Sequence, residues 1–234
     1  WNGPNRRDLW RNGREVWREG EGFGKLMVEE AKAVITSEDK RPFFIYWAIN
    51  WPHYPLQGSD KWRVHYRSKK LAHPRDKYAA FLSTMDELIG QVIVHLDKAG
   101  KRKNTIVILQ SDHGHSVEER TFGGGGSSGP FRGHKFSFLE GGLRVPSIIS
   151  WPGTLPEGEV REQFVTGCDW YPTLAKWAEA PLPKDMKLDG KDINSVIRSS
   201  DTPSPHKDFF WTQDFIRNKN APWAVRQGDW KLLH

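Results

Sequence analysis

Two apolar runs held apart by a long amphipathic segment limit this chain to few architectures. FFIYWAI at 43–49 and TIVIL at 105–109 are continuous and rich in aromatic and β-branched side chains, the composition of strands covered on both faces. Between them Tyr78, Phe81, Leu82, Met85, Leu88, Ile89, Val92 and Leu96 recur at helical spacing, which predicts a long helix closed by Gly100. A strand, a helix and a strand in that order, both strands uniformly apolar, predict parallel pairing in one sheet. The expected class is α/β, a mostly parallel sheet flanked by helices.

The flanking sequence extends this plan. WNGPNRRDLWRNGREVWREGEGF reads as an ordered loop with one short strand pair, and Leu26, Met27, Ala31, Val34 and Ile35 predict a helix over 25–35. FGGGGSSGPFRG at 122–133 resembles a linker, but apolar sequence resumes at once, so it reads as a loop inside the domain. LRVPSIISW predicts a further strand, and VTGCDWYPTLAKWAEA a helix capped by Thr166. DFFWT and WAVRQGDWKLLH, the latter split at Gly228-Asp229, predict a small antiparallel unit. Residues 1–200 are thus assigned to the main domain and 201–234 to an appended subdomain.

Composition narrows the partners. With 37% hydrophobic residues and twelve tryptophans, the 234-residue chain is not a disordered tail. A formal charge of +6 favours an anionic partner, yet 35 basic against 29 acidic residues is milder than a nucleic-acid-binding arm, and no nucleic-acid partner is expected. KWRVHYRSKKLAHPRDK at 61–77 holds seven Lys or Arg and two His; it reads as a solvated loop, with an anion-facing surface as the alternative. The single Cys168 excludes an intrachain disulfide framework. No apolar stretch approaches the ~18 residues of a membrane span. Oligomeric state is not encoded in any of these patterns.

In an α/β sheet, ligands gather at the carboxyl ends of strands, where loops converge. Three loops qualify: NWPHYPLQ, SDHGHS and the stretch leading to RGHKFSFLEGGLRVP. Asp112 offers an anionic oxygen, His113 an imidazole nitrogen, and Gly114 lets the backbone turn close to a bound ion. On the residues alone, an Asx turn at Asp112 and a polar strand cap at His113 fit equally well. His53, between Pro52 and Pro55, could hold an imidazole toward a leaving group, and Lys135 could present a point charge to an oxyanion. A metal, an acid and a cation suit the cleavage of an anionic ester.

SDHGHS followed by EERTFGGGGSSGPFRGHKFSFLEGGLRVPSIISWPG strongly resembles the formylglycine-dependent sulfatases of the alkaline phosphatase superfamily. AINWPHYPLQ, KYAAFLSTMDELIG, FVTGCDWYPTLA, LDGKD and AVRQGDWKLL resemble the same family in the same order, over nearly the whole chain. The resemblance implies an alkaline phosphatase-like fold and hydrolysis of sulfate esters, of sulfated carbohydrates or small molecules, in a periplasmic, secreted or lysosomal setting. It makes Asp112 and His113 metal ligands, normally for one calcium ion. It makes Lys135 a contact to the sulfate oxygens, and His53 a sulfate-binding residue that protonates the leaving oxygen. Members often carry Asn where His113 stands, and Asp-His-Gly turns also occur in the superfamily's zinc phosphatases and phosphodiesterases, so another divalent metal and phosphoryl chemistry form the alternative.

The family's nucleophile is a formylglycine made from a C/S-x-P-x-R motif that is expected upstream of this chain, together with paired aspartates that complete the metal site. Cys168, in CDWYPT, lacks the Pro and Arg offsets and reads as structural. SGPFR at 128–132 matches the motif, but the lysine loop rather than a helix follows it, so Ser128 is read as a chance match. Hydrolysis by this portion alone is therefore not expected, and binding of anionic glycans without catalysis is the other class of function. His115, His134 and Glu140 are assigned to supporting or recognition roles, and Arg144 to structural anchoring.

Overall fold

Apolar residues at helical spacing build the first of two units into which the chain divides, Trp1–Lys101 and Arg102–His234. The computed structural model describes residues 9–213, 218 and 220–234; the part of the expected opening loop before Leu9 lies outside them. A two-residue hairpin opens the first unit, β1 (Trp10–Arg11) against β2 (Arg14–Glu15). Its turn, Asn12-Gly13, has φ of 52° and 76°, the pair of positive angles that a tight hairpin needs.

Three helices follow. The period at 25–35 forms α1 (Phe23–Ile35), 61–68 falls within α2 (Asp60–Ser68), and the long period forms α3 (Arg75–Lys98). Val28, Ala31 and Ile35 make one buried stripe of α1, packed on α3, whose own buried residues are Ala80, Phe81, Val92 and Leu96. Burying Phe81 alone contributes about 2–3 kcal/mol. α2 sits on α3 through polar contacts, with Trp62 Nε1 donating to Glu87 Oε2 at 2.7 Å and Tyr66 Oη 2.9 Å from Ser83 Oγ. The loop expected over 61–77 is thus largely helical: Trp62 and Tyr66 stand one turn apart, a pairing that the surrounding charge obscures.

FFIYWAI departs from expectation. The segment is extended and alternates half-buried Phe43, Ile45, Trp47 and Ile49 with exposed Phe44 and Tyr46, which are 80% and 84% accessible. It joins no ladder among the described residues, so it is not the doubly covered strand its composition predicts. A strand draws its hydrogen bonds from neighbouring strands, and no strand among the described residues pairs with this one.

In the second unit TIVIL forms β3 (Val107–Gln110) and, beyond the one-turn α4 (Glu140–Leu143), SIIS forms β4 (Ser147–Ser150). They pair antiparallel in the register Val107↔Ser150 to Gln110↔Ser147. FFIYWAI, the run expected to lie parallel to TIVIL, joins no ladder among the described residues, and the ladders that form there, β3 with β4 included, are antiparallel. The reason lies in the connection: the chain leaves β3 and returns at the same end, where Ser111 N–H donates to Pro146 O at 3.1 Å, so no crossover carries it back. Residues 111–146 form one large loop closed at its base.

A short 3-10 turn, Gly167–Asp169, leads into α5 (Trp170–Trp177), followed by α6 (Asn194–Arg198). Thr166 is the N-cap of that turn, as expected, and the Asp169 carboxylate accepts Thr166 N–H at 2.7 Å to form a capping box. Cys168, read as structural, is an exposed free thiol. The C-terminal sheet is antiparallel in the order β5 (Asp208–Thr212), β6 (Trp223–Gln227), β7 (Trp230–Leu233), as the Gly228-Asp229 turn predicts. It is tied to the large loop: Lys231 Nζ contacts Glu140 and donates to Phe138 O at 3.2 Å, and Gln213 Nε2 donates to Phe136 O at 3.2 Å.

Candidate functional site

Asp112 and His113 stand directly behind β3, and their donor atoms converge. His113 Nδ1 lies 2.8 Å from Gly114 O; a carbonyl only accepts, so this contact needs a proton on Nδ1. Nε2 stands 3.1 Å from Asp112 Oδ2, a contact that needs either a proton on Nε2 or a cation shared by the two atoms. Asp112 Oδ1 meanwhile accepts His113 N–H at 3.0 Å, and its side chain is 82% exposed. An imidazole anchored through one nitrogen to a carbonyl, with the other beside a carboxylate oxygen, is how a histidine is oriented for a divalent cation. The residues present therefore fit such an ion as two of its ligands. Among the described residues, no group of three or more His, Cys, Asp or Glu that could hold a metal ion occurs.

Lys135 is brought to the same loop by the backbone. Its N–H donates to His115 O at 2.9 Å, clamping the lysine loop onto SDHGHS. Its side chain is only 12% exposed, with Nζ 3.2 Å from Glu118 Oε2 and 4.9 Å from the Phe136 ring centroid. Glu118 is a member of the site that sequence reasoning missed. Burial works to raise its pKa, but hydrogen bonds from Ser116, Lys135 and Arg120 outweigh that and hold it below the usual carboxylate value. The carboxylate thus matches the Lys135 charge at the rim of the site.

The glycines of these loops are there for space. A Cβ on Gly114 would lie 1.9 Å from Gly141 O, and one on Gly142 would lie 2.1 Å from Ser137 O. Gly114 N–H donates to Gly142 O at 2.9 Å, and Gly141 N–H to Arg132 O at 2.7 Å. Gly114 therefore admits the backbone of α4, rather than clearing room for an ion as its position suggests. Gly114→Ala is expected to cost the second unit about 2 kcal/mol or more through this collision. Thermal unfolding followed by tryptophan fluorescence checks it, and a midpoint equal to wild type would contradict the backbone packing.

Other expectations divide. His115 has a buried, unpartnered Nδ1, and burial, reinforced by His134, pushes its pKa below the ordinary histidine value. His134 Nδ1 contacts Lys135 O at 2.8 Å. Glu140 is engaged by Lys231, and Arg144 donates to Glu162 Oε2 at 2.7 Å while lying 4.8 Å from the Phe131 ring centroid. Ser128 Oγ donates to Phe131 O at 2.6 Å and is packed where a Cβ on Gly141 would come within 2.8 Å, so this hydroxyl belongs to the loop's scaffold.

His53 lies in the first unit, in an exposed turn between Pro52 and Pro55. Its Nδ1 is 3.0 Å from Tyr54 O and its ring 4.3 Å from that of Tyr54, which orients the ring. Asp112, His113 and Lys135 share one loop system in the second unit.

A protein-family profile described as Sulfatase matches residues 1–180, and one described as N-sulphoglucosamine sulphohydrolase, C-terminal, matches residues 131–234. Arylsulfatase J of Mus musculus is 34% identical over 228 residues, 95% of this chain and 37% of that protein. A protein named Sulfatase from Formosa agariphila is 35% identical over 205 residues, 81% of this chain and 36% of its own length. The crystal structure of Ps i-CgsB in complex with k-i-k-neocarrahexaose matches with a TM-score of 0.84 at 29% identity, over 95% of this chain and 48% of that one. The chain thus spans about a third of the length of these curated relatives and about half of that solved chain.

Proposed function

The chain belongs to the sulfatase family, and from that premise we propose that it supplies cation-holding, sulfate-binding and proton-donating side chains for the hydrolysis of sulfate esters. Sulfated carbohydrates are the substrate class of this reading, supported by the oligosaccharide bound to Ps i-CgsB. Residues 1–200 belong to the catalytic domain and 201–234 begin the C-terminal subdomain, in a periplasmic, secreted or lysosomal protein.

The observation that carries the reading is the convergence of Asp112 Oδ2 and His113 Nε2 at 3.1 Å with the imidazole anchored behind them. A divalent cation, calcium by family resemblance, supplies there a fixed positive charge toward sulfate oxygens. Asp112 and His113 hold it. Lys135 offers its ammonium to the sulfate, exchanging the Glu118 carboxylate for the ligand's oxygens. His53 gives the proton on Nε2 to the departing alcohol oxygen while Nδ1–H stays on Tyr54 O. No described residue fits the formylglycine nucleophile, since the Ser128 hydroxyl is committed to Phe131 O and Cys168 lacks the motif, and no step is assigned to it.

Cation titration by calorimetry tests the pair without requiring turnover. One cation is expected to bind, and Asp112→Ala and His113→Ala are each expected to weaken it at least about tenfold. Undiminished binding in both variants would overturn the assignment. The imidazole supports a second reading, because nitrogen suits zinc better than calcium and would fit the phosphatase and phosphodiesterase branch. Zinc binding that His113→Asn abolishes, with no calcium binding in either protein, would decide for that branch.

A further inference from the structure

The charge of this chain is concentrated in one place. Residues 61–77 hold seven Lys or Arg against one acidic residue, Asp76, an excess equal to the formal +6 of the whole chain. The other residues together are neutral.

The fold displays that charge rather than neutralising it. Trp62 and Tyr66 turn one face of α2 onto α3, while Arg63, Arg67, Lys69 and Lys70 are exposed. Lys61 pairs with Glu87 at 3.0 Å and Arg63 with Asp60 at 3.1 Å. Arg67, Lys69 and Lys70 make no ion pair among the described residues. They follow one another at the carboxyl end of α2, where the helix dipole offers about half a negative charge and so matches only part of one of them. Like charges held this close repel, and a polyanion laid across them relieves that repulsion.

The aromatic residues indicate which polyanion. Single-stranded nucleic acids are held by cations together with exposed rings on which bases stack. Here the Trp62 indole N–H and the Tyr66 hydroxyl are spent on Glu87 and Ser83, and the exposed large apolar residues of the segment are the aliphatic Val64 and Leu71. Cations without a stacking platform suit a ligand whose recognition is carried by repeated sulfate groups. We propose that the exposed surface formed by Arg63 and Arg67 of α2 and by Lys69 and Lys70 just beyond its carboxyl end binds a sulfated polysaccharide, engaging a polymeric substrate through sulfates other than the one at the reacting centre. This rests on the sulfate-ester reading above for its substrate class, and its site is separate in residues from the Asp112, His113 and Lys135 cluster.

Fluorescein-labelled dextran sulfate, with unsulfated dextran as control, tests it on the intact chain. The triple variant R67A/K69A/K70A is expected to lose about tenfold in affinity at ~50 mM salt, and the slope of log Kd against log salt should fall by about two to three. Helical circular dichroism should be unchanged, because these side chains are exposed. Single-stranded DNA should compete at least about fivefold more weakly per charge. Wild-type affinity in the triple variant or equal competition by DNA would each overturn the proposal. Cation titration of the triple variant should match wild type, so failure of the dextran sulfate result and failure of the Asp112 and His113 assignment are read separately.

Discussion

Asp169→Ala is expected to cost the second unit about 3–5 kcal/mol, the scale for leaving three buried donors without their acceptor. The Asp169 carboxylate is wholly inaccessible. Its Oδ1 accepts from His206 Nε2 at 2.8 Å and from Lys191 N–H at 2.8 Å, and its Oδ2 accepts Thr166 N–H at 2.7 Å. Its carbonyl accepts the Thr173 hydroxyl at 2.7 Å, which in turn receives Ile193 N–H at 3.0 Å. One side chain thus joins the entry to α5, the strand-like stretch before α6, and the approach to β5. Alanine would strand three donors in the interior, each penalised for desolvation, and at roughly 2–4 °C per kcal/mol the thermal midpoint should fall by about 10 °C. Asparagine retains the volume but presents an NH₂ group to donors, so Asp169→Asn should be nearly as damaging. A loss below about 1 kcal/mol by urea unfolding would contradict this account.

That centre was invisible in the sequence, and the reason is distance along the chain. Asp169 and His206 are 37 positions apart, and His206 in TPSPH resembles any loop histidine. Glu118 escaped notice likewise, because it meets Lys135 only when the large loop folds back on itself. By contrast α1 and α3 were legible because their apolar spacing repeats over several turns, and the β6–β7 hairpin because Gly228-Asp229 sits between two apolar runs. TIVIL identified a strand but not its partner: an apolar run encodes coverage, whereas direction is set by where the chain returns. Asp112, His113 and Lys135 are proposed as a group because each follows closely on a strand or glycine turn. The physical reason for Gly114 was not, since it depends on a carbonyl 27 residues away at Gly141.

Lys135→Ala, in the polypeptide that carries the family's nucleophile, is expected to lower kcat/KM for a sulfate ester by about 10²–10³. The ammonium is largely withdrawn from water, where its charge acts on an anion through a weaker dielectric than at the surface. Lys135→Met keeps most of the buried stem and should lose activity to a similar extent with an unchanged thermal midpoint, which separates charge from packing. Glu118 gives the complementary test. Before ligand enters, its carboxylate competes with sulfate for the same ammonium, so Glu118→Gln should lower KM while leaving kcat within about twofold. If that competition acts through Lys135, Glu118→Gln becomes silent in the Lys135→Ala background, and a double-mutant cycle reads the coupling directly. Additive effects would assign Glu118 to the scaffold formed with Ser116 and Arg120, and near-wild-type turnover in Lys135→Ala would remove the lysine from the sulfate site altogether.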